Sequence, residues 1–227
     1  MKRKIFNYII AVVGLFVAVL GFCGVFGYAS AAVTLCAFVP CSAALSGNIA
    51  SDCANPRVKG YEQLGLIFNW DDVDWANVTY DANNPRIIKS FVLKEGKKPF
   101  ALYQNKNNPT NFNGTNTTYN ADTDAYDKTL QFFFEGIGGV DASDVVEPLK
   151  GGNYVALLPR KDHRGNGSFQ FIGAQSGIKA NAQVQDEETG YWLITMVGSE
   201  PSAEVAFFDT DYATTKSAYD AFVAQIE

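Results

Sequence analysis

The chain has 227 residues, 47% hydrophobic and 14% aromatic, enough to bury a full core and too apolar for a disordered polymer. Its formal charge is −6; residues 1–42 hold three of the 18 basic groups and none of the 24 acidic ones, so residues 43–227 stand at −9. A body this acidic repels phosphate and argues against a nucleic-acid-binding domain.

The chain opens on Lys2-Arg3-Lys4, followed by an apolar run from Ile5 to Gly27 and by Ala29-Ser30-Ala31. A basic start, an apolar middle and small residues at the end form a signal-peptide pattern, although the run is longer than the ~7–15 residues of a signal core and equally fits an uncleaved anchor. Neither Cys23 nor Cys36 follows a small residue, so neither forms a lipobox. A third reading is upstream sequence translated in error, with the working protein starting near Ala43–Ser46. The four cysteines, Cys23, Cys36, Cys41 and Cys53, all fall early. The remaining body has no staple and must hold itself together by its core, as a domain folded in a reducing cytoplasm does.

From about Tyr61 to Phe208, short apolar or alternating runs are punctuated by Gly, Asn and Asp, the pattern of an antiparallel β-domain. Residues 62–70 read as a strand covered on both faces. Asp71, Asp72 and Asp74 follow beside Trp75; without Ca²⁺-loop spacing they read as a solvated turn rather than a metal site. Residues 86–94 and 99–104 read as strands joined into a hairpin by Glu95-Gly96-Lys97-Lys98. The stretch 105–127, rich in asparagine, reads as a long polar loop, either a surface excursion or an arm that orders against a neighbouring subunit. Asp122, Asp124 and Asp127 within it are too loosely spaced for a metal site, and the sequons at Asn77, Asn113 and Asn116 matter only on a eukaryotic secretory route.

Residues 129–135 form a strand whose aromatic cluster belongs in the core. A short helix capped by Asp141 or Ser143 runs toward Lys150 and ends at Gly151-Gly152. Residues 154–161 are a strand, with Pro159 marking an edge or bulge. His163, the lone histidine, sits in a Gly/Asn turn with no nucleophile beside it and reads as an exposed turn residue. Residues 168–175 and 179–185 read as a hairpin around Ser176-Gly177. In the strand 189–197, inward Tyr191, Leu193 and Thr195 alternate with Trp192 and Ile194, a pattern that also fits cover on both faces. Residues 203–208 complete the sheet. Tyr219, Phe222, Val223 and Ile226 form one apolar stripe of a C-terminal helix capped by Thr214 or Thr215, which docks on the sheet or on a neighbouring copy.

The turn and cap segments Ala43-Ala-Leu-Ser-Gly-Asn-Ile-Ala-Ser-Asp-Cys53-Ala-Asn-Pro56, Asp81-Ala-Asn-Asn-Pro85, Gly173-Ala-Gln-Ser-Gly-Ile-Lys179 and Thr210-Asp-Tyr-Ala-Thr-Thr215 resemble, in this order, virion structural proteins of crAss-like and related phages of Bacteroidales, similar to tail-tube or tail-ring subunits. The resemblance spans about residues 43–227. It implies assembly in the bacterial cytoplasm into rings or a tube, with other virion tail or neck proteins as partners, and it brings no enzymatic residue. Residues 1–42 depart from the group, whose members start near the Ala-Leu-Ser-Gly segment.

The expectation is therefore a mainly β protein: an antiparallel β-sandwich or barrel with one short internal helix and a C-terminal amphipathic helix, residues 43–227 forming one domain behind a hydrophobic leader, 1–42. No Ser/His/Asp set, phosphate-cradling glycine loop or Cys/His metal spacing is present, so no catalytic, cofactor or metal residue is assigned. A self-assembling, non-enzymatic virion subunit is one reading, with DNA only as passing cargo in its lumen. The other is an exported or membrane-anchored β-sandwich that binds glycans or surface partners, with Trp70 and Trp75 as stacking platforms. A hydrolase built on Asp71, Asp72 or Asp74 is a third, weakly constrained by carboxylate spacing.

Overall fold

A computed structural model describes residues 45, 49, 56–103, 115–136, 138–186 (the backbone alone at Asp186) and 190–226. The leader, all four cysteines, Asn113 and the polar stretch 104–114 lie outside these residues. Chain contacts divide at Asp52, and the second unit, Cys53–Glu227, is the body described below.

Eleven strands are described: β1 (Leu64–Asn69), β2 (Thr79–Tyr80), β3 (Ile87–Ser90), β4 (Phe100–Tyr103), β5 (Asn116–Asn120), β6 (Ala125–Phe134), β7 (Tyr154–Pro159), β8 (Phe169–Ile172), β9 (Lys179–Asp186), β10 (Tyr191–Glu200) and β11 (Val205–Phe207). They form a seven-stranded sheet in the order β2-β3-β11-β8-β7-β1-β4 and a four-stranded sheet in the order β5-β6-β10-β9. Both sheets are open, so the architecture is a sandwich and not a closed barrel. One pair, β11 with β3, runs parallel, so the fold is not wholly antiparallel as expected. Helix α1 spans 139–151 with a π-turn at Ala142–Val146, and α2 spans Tyr212–Val223.

The alternation of each central strand explains the layering. Leu66 and Phe68 of β1, Val155 and Leu157 of β7, Phe169 and Phe171 of β8, and Val205 and Phe207 of β11 pack on one face under α2. Ile67, Ala156, Leu158 and Ile172 pack on the other, against Leu130 and Phe132 of β6 and Ile194 and Met196 of β10. Burying both faces demands near-continuous apolar runs, and β7, β8 and β11 are buried at every position. Phe91 ties the α2 face together: it stacks on Phe222 at 4.5 Å and meets Phe68, Phe171 and Phe207 edge-on.

The C-terminal stripe docks on the sheet. Tyr219 is buried and donates its hydroxyl to the Leu64 carbonyl at 2.7 Å. The cap is neither expected threonine but Asp211, whose carboxylate accepts from the Thr214 amide at 2.8 Å, while Thr215 Oγ1 donates to the Asp211 carbonyl. Helix α1 likewise has Gly138 at its N-cap position, with no side-chain cap, rather than Asp141 or Ser143; Ser143 Oγ donates to the Val140 carbonyl inside the helix.

Several expected connections are overturned. Strands β3 and β4 are not a hairpin; they lie toward opposite ends of the seven-stranded sheet. Phe91 is drawn into the core and Leu93 bridges Val73, so the chain crosses beneath the sheet before β4 begins. Part of the expected polar loop is structured: β5 and β6 pair across residues 116–129, their turn closed by Asp124 at φ 49°. Pro159 lies at no edge or bulge; it ends a central strand, and its carbonyl accepts from the Glu62 amide at 2.8 Å. In β10 the inward side is the reverse of the expected one, with Ile194 and Met196 fully buried and Thr195 facing away. Strand β11 completes the seven-stranded sheet from within, between β3 and β8.

The expected hairpin around Ser176-Gly177 is instead a change of sheet. β8 ends in the seven-stranded sheet, the chain turns through Gly173–Ile178, and β9 begins in the other. Tyr154 and Ile178 exchange both backbone hydrogen bonds, at 2.9 and 2.7 Å, which fixes the corner. Gly173 has φ 88°, and a Cβ there would stand 2.9 Å from the Tyr154 carbonyl oxygen. Gly173→Ala should therefore cost about 2 kcal/mol or more, from left-handed strain and loss of that exchange. A lowered urea midpoint with unchanged m-value checks this; an unchanged midpoint refutes the corner's role.

Candidate functional site

None of the expected candidate residues converges on a reactive centre. Asp71 and Asp72 lie on a 3-10 turn after β1 and Asp74 stands at the N-cap of the next; Asp71 is exposed, and Asp72 and Asp74 are engaged locally. Asp72 accepts from Asn69 Nδ2 at 2.7 Å and pairs with Lys97 at 3.0 Å, and Asp74 accepts from Asn77 Nδ2 at 2.7 Å. Burial raises the Asp72 carboxyl, but the bonds from Asn69 and Lys97 outweigh it and hold the group below the usual carboxylate range. Trp70 and Trp75 lie against each other, centroids 4.3 Å apart, on the edge of the α2-side core, with Trp75 Nε1 donating to the Trp70 carbonyl. Their rings face each other and the core rather than forming a flat exposed platform.

His163 stands on the β7–β8 turn, exposed, 2.6 Å from Glu62 Oε1 and stacked on Tyr212 at 4.5 Å. Asp122, Asp124 and Asp127 serve the β5–β6 turn: Tyr119 donates its hydroxyl to Asp124 Oδ1, Asn120 Nδ2 donates to Asp127 Oδ2, and the Asp122 amide donates to Asn120 Oδ1. Among the described residues no group of three or more His, Cys, Asp or Glu side chains is placed to hold a metal ion, and no helix is long and apolar enough to cross a membrane.

Two features were not anticipated. The first is a buried charge pair. Lys128 of β6 and Glu200 of β10 are 1% and 0% exposed, with Nζ 3.9 Å from Oε2. Lys128 Nζ donates to the Ala203 carbonyl and to Thr117 Oγ1, and Glu200 Oε1 accepts from the Gln175 amide at 2.7 Å. Glu200 Oε2 has no hydrogen-bond partner. Burial pushes the Lys128 ammonium below the usual lysine range and the Glu200 carboxyl above the usual carboxylate range. A signal was present in the sequence, since Lys128 shares the inward parity of Leu130 and Phe132, and Glu200 that of Ile194 and Met196. The pair belongs to the sheet corner, where Glu200 holds the Gln175 amide.

The second is a cleft of about 820 Å³ at the open mouth between the sheets, where β4, the end of β6 and α1 meet. Buried Ile67, Leu102, Phe132 and Leu149 form its back. Phe100 and Tyr103 of the edge strand β4, 48% and 68% exposed, stand at its mouth. Among the described residues its lining includes three carboxylates, Glu135, Asp141 and Asp144, and no Lys, Arg or His. An apolar hollow with a few polar groups beside an open strand edge is built to take a side chain or an extended segment. No short sequence motif announces it, because its walls come from five separate elements.

Comparison with known proteins yields no relative: no family model matches, and neither a curated protein nor a solved structure is significantly similar.

Lys128→Met should destabilise the fold by about 3 kcal/mol, because Glu200 would be left buried without its cation, and Glu200→Gln should cost less. The double variant should recover most of the Lys128→Met loss in a denaturation cycle; full additivity would show that the two side chains do not interact. Glu200 ionises first in the unfolded chain, so its contribution is complete in acid and declines as pH rises above about 4.3 toward its raised folded value. Subtracting the Glu200→Gln stability curve from that of the wild type should reveal this decline.

Proposed function

We propose that this protein is a non-enzymatic structural subunit of a phage virion, self-assembling into a tail tube or a tail or neck ring. The observation that carries the reading is the set of open sheet edges. The outer edges of β2, β4, β5 and β9 are unpaired among the described residues, and Tyr80, Phe100, Tyr103, Tyr119 and Val184 on these strands are exposed apolar side chains. Unpaired edge backbone and exposed rings are costly for a lone molecule and useful to one that meets copies of itself. A body carrying −9 also suits a lumen through which DNA passes without adhering. In this reading assembly takes place in the bacterial cytoplasm, and other tail or neck proteins complete the structure.

The second reading, an exported or anchored binding module, draws on the apolar cleft, which could take a ligand rather than a subunit. The N-terminal mass of the natural product separates the two. A start near Ala43–Ser46 favours the virion, cleavage after Ala31 favours export, and an intact leader in a membrane fraction favours the anchor.

On the first reading the purified chain forms rings or polymers at micromolar concentration, alone or with a tail-completing partner, in sedimentation velocity and negative-stain microscopy. A strictly monomeric product under all of these conditions counts against it.

A further inference from the structure

The cleft is not apolar throughout, and its polarity changes along α1. Asp141, Asp144, Val145, Pro148 and Leu149 line it at spacings i, i+3, i+4, i+7 and i+8, so they share one face of the helix. Carboxylates stand at the start of that face and apolar residues at its end. Leu149, at the apolar end, belongs to the same buried cluster as Ile67, Leu102 and Phe132.

Aromatic rings meet the acids at the other end. A Cβ on Gly136 would stand 2.1 Å from Phe134 Cε1 and 2.9 Å from Asp141 Cβ, so ring and acid flank one point. Glu135, the neighbour of Gly136, brings a third carboxylate to the lining. Phe100 pairs with Ile67 in the β1–β4 register, and paired residues point to the same face, so its ring also belongs to this space. Residues Ala142–Val146, which carry Asp144 and Val145, form a π-turn, a rare element that recurs at functional sites.

We propose that this cleft binds a small organic cation, an ammonium group carried on an apolar body. The body lies against Ile67, Leu102, Phe132 and Leu149, and the ammonium meets the carboxylates beside Phe134. Two independent features select a cation over an anion or a neutral molecule. Three carboxylates line the cleft with no cation among the described residues of the lining, and neither Glu135 nor Asp144 makes an ion pair with a described residue. Aromatic faces attract an ammonium within ~6 Å through their quadrupole. The start of α1 contributes only about half a positive charge, less than the acids beside it. A volume of about 820 Å³ falls within the ~300–1,000 Å³ range of small-molecule sites. The site does not depend on self-association, and the sedimentation and N-terminal mass experiments above judge those readings separately.

Isothermal titration of the full chain with octyltrimethylammonium, octanoate and octanol, each below the concentration at which it aggregates, tests this site. The ammonium should bind at least about tenfold more tightly than either of the other probes. E135Q/D144N, checked for folding by circular dichroism, should lower its affinity at least about fivefold and leave octanol unchanged. D71N/E95Q removes two exposed acids that do not line the cleft and should leave the preference intact. Phe100→Ala, at a position 48% exposed, should weaken the ammonium and octanol together, which places both in the cleft. Octanoate or octanol binding as tightly as the ammonium overturns the cation. Equal losses in the two double variants reduce the preference to net charge and overturn the site. An unaltered affinity in Phe100→Ala, or no binding by any probe, overturns it as well.

Discussion

The seven-stranded sheet is stable because it is covered on both faces, and the rest of the fold is arranged to supply those covers. β7, β8 and β11 have no exposed position, so none of them can face water. One cover is α2, from the far end of the chain, anchored where the Tyr219 hydroxyl meets the Leu64 carbonyl. The other is the four-stranded sheet. Both arise from residues distant in sequence from β1, so the core is completed only when the chain ends are brought together.

The second constraint is the corner at which the chain leaves one sheet for the other. Gly173 turns the backbone through a left-handed conformation beside Tyr154. Gly198 of β10 lies so close that a Cβ would stand 2.4 Å from the Gly177 carbonyl oxygen. The Lys128–Glu200 pair sits at this same place. Glu200 holds the Gln175 amide, Gln175 Oε1 holds the Ser202 amide, and Lys128 holds the Ala203 carbonyl. An apolar pair would fill the space at lower desolvation cost, but it would leave those backbone groups unsatisfied. The charges join the corner to the inner sheet.

Tyr154 of this corner also lines the cleft, which opens between the sheets beside the short edge strand β4. This places an apolar hollow beside a strand edge that is unpaired among the described residues, with carboxylates in the lining.

Strand positions were partly readable from residue alternation: β1 and β7 fall within the expected runs, β6 and β10 overlap theirs but extend beyond them, and the stripe Tyr219, Phe222, Val223 and Ile226 announced the docking helix. The turn after β7 was readable too, as the exposed His163 shows. Strand partners were not. Gly96 and Gly177 each looked like a hairpin turn, because a turn residue specifies only that the backbone bends, whereas the next strand's partner depends on which apolar face still needs cover. Parity in β10 misled for a related reason: its outer face carries Tyr191 and Leu193, half-buried, so hydrophobicity alone could not tell inside from outside. The charge pair and the cleft are made by residues tens of positions apart, and only tertiary packing sets Lys128 beside Glu200 or Leu149 beside Leu102. Sequence by itself determined where the chain could form strands and the C-terminal helix, since those follow from periodicities of two and 3.6 residues. Tertiary structure alone decided the sheet order, the corner and the open mouth, since these follow from the burial of both faces of one sheet by distant parts of the chain.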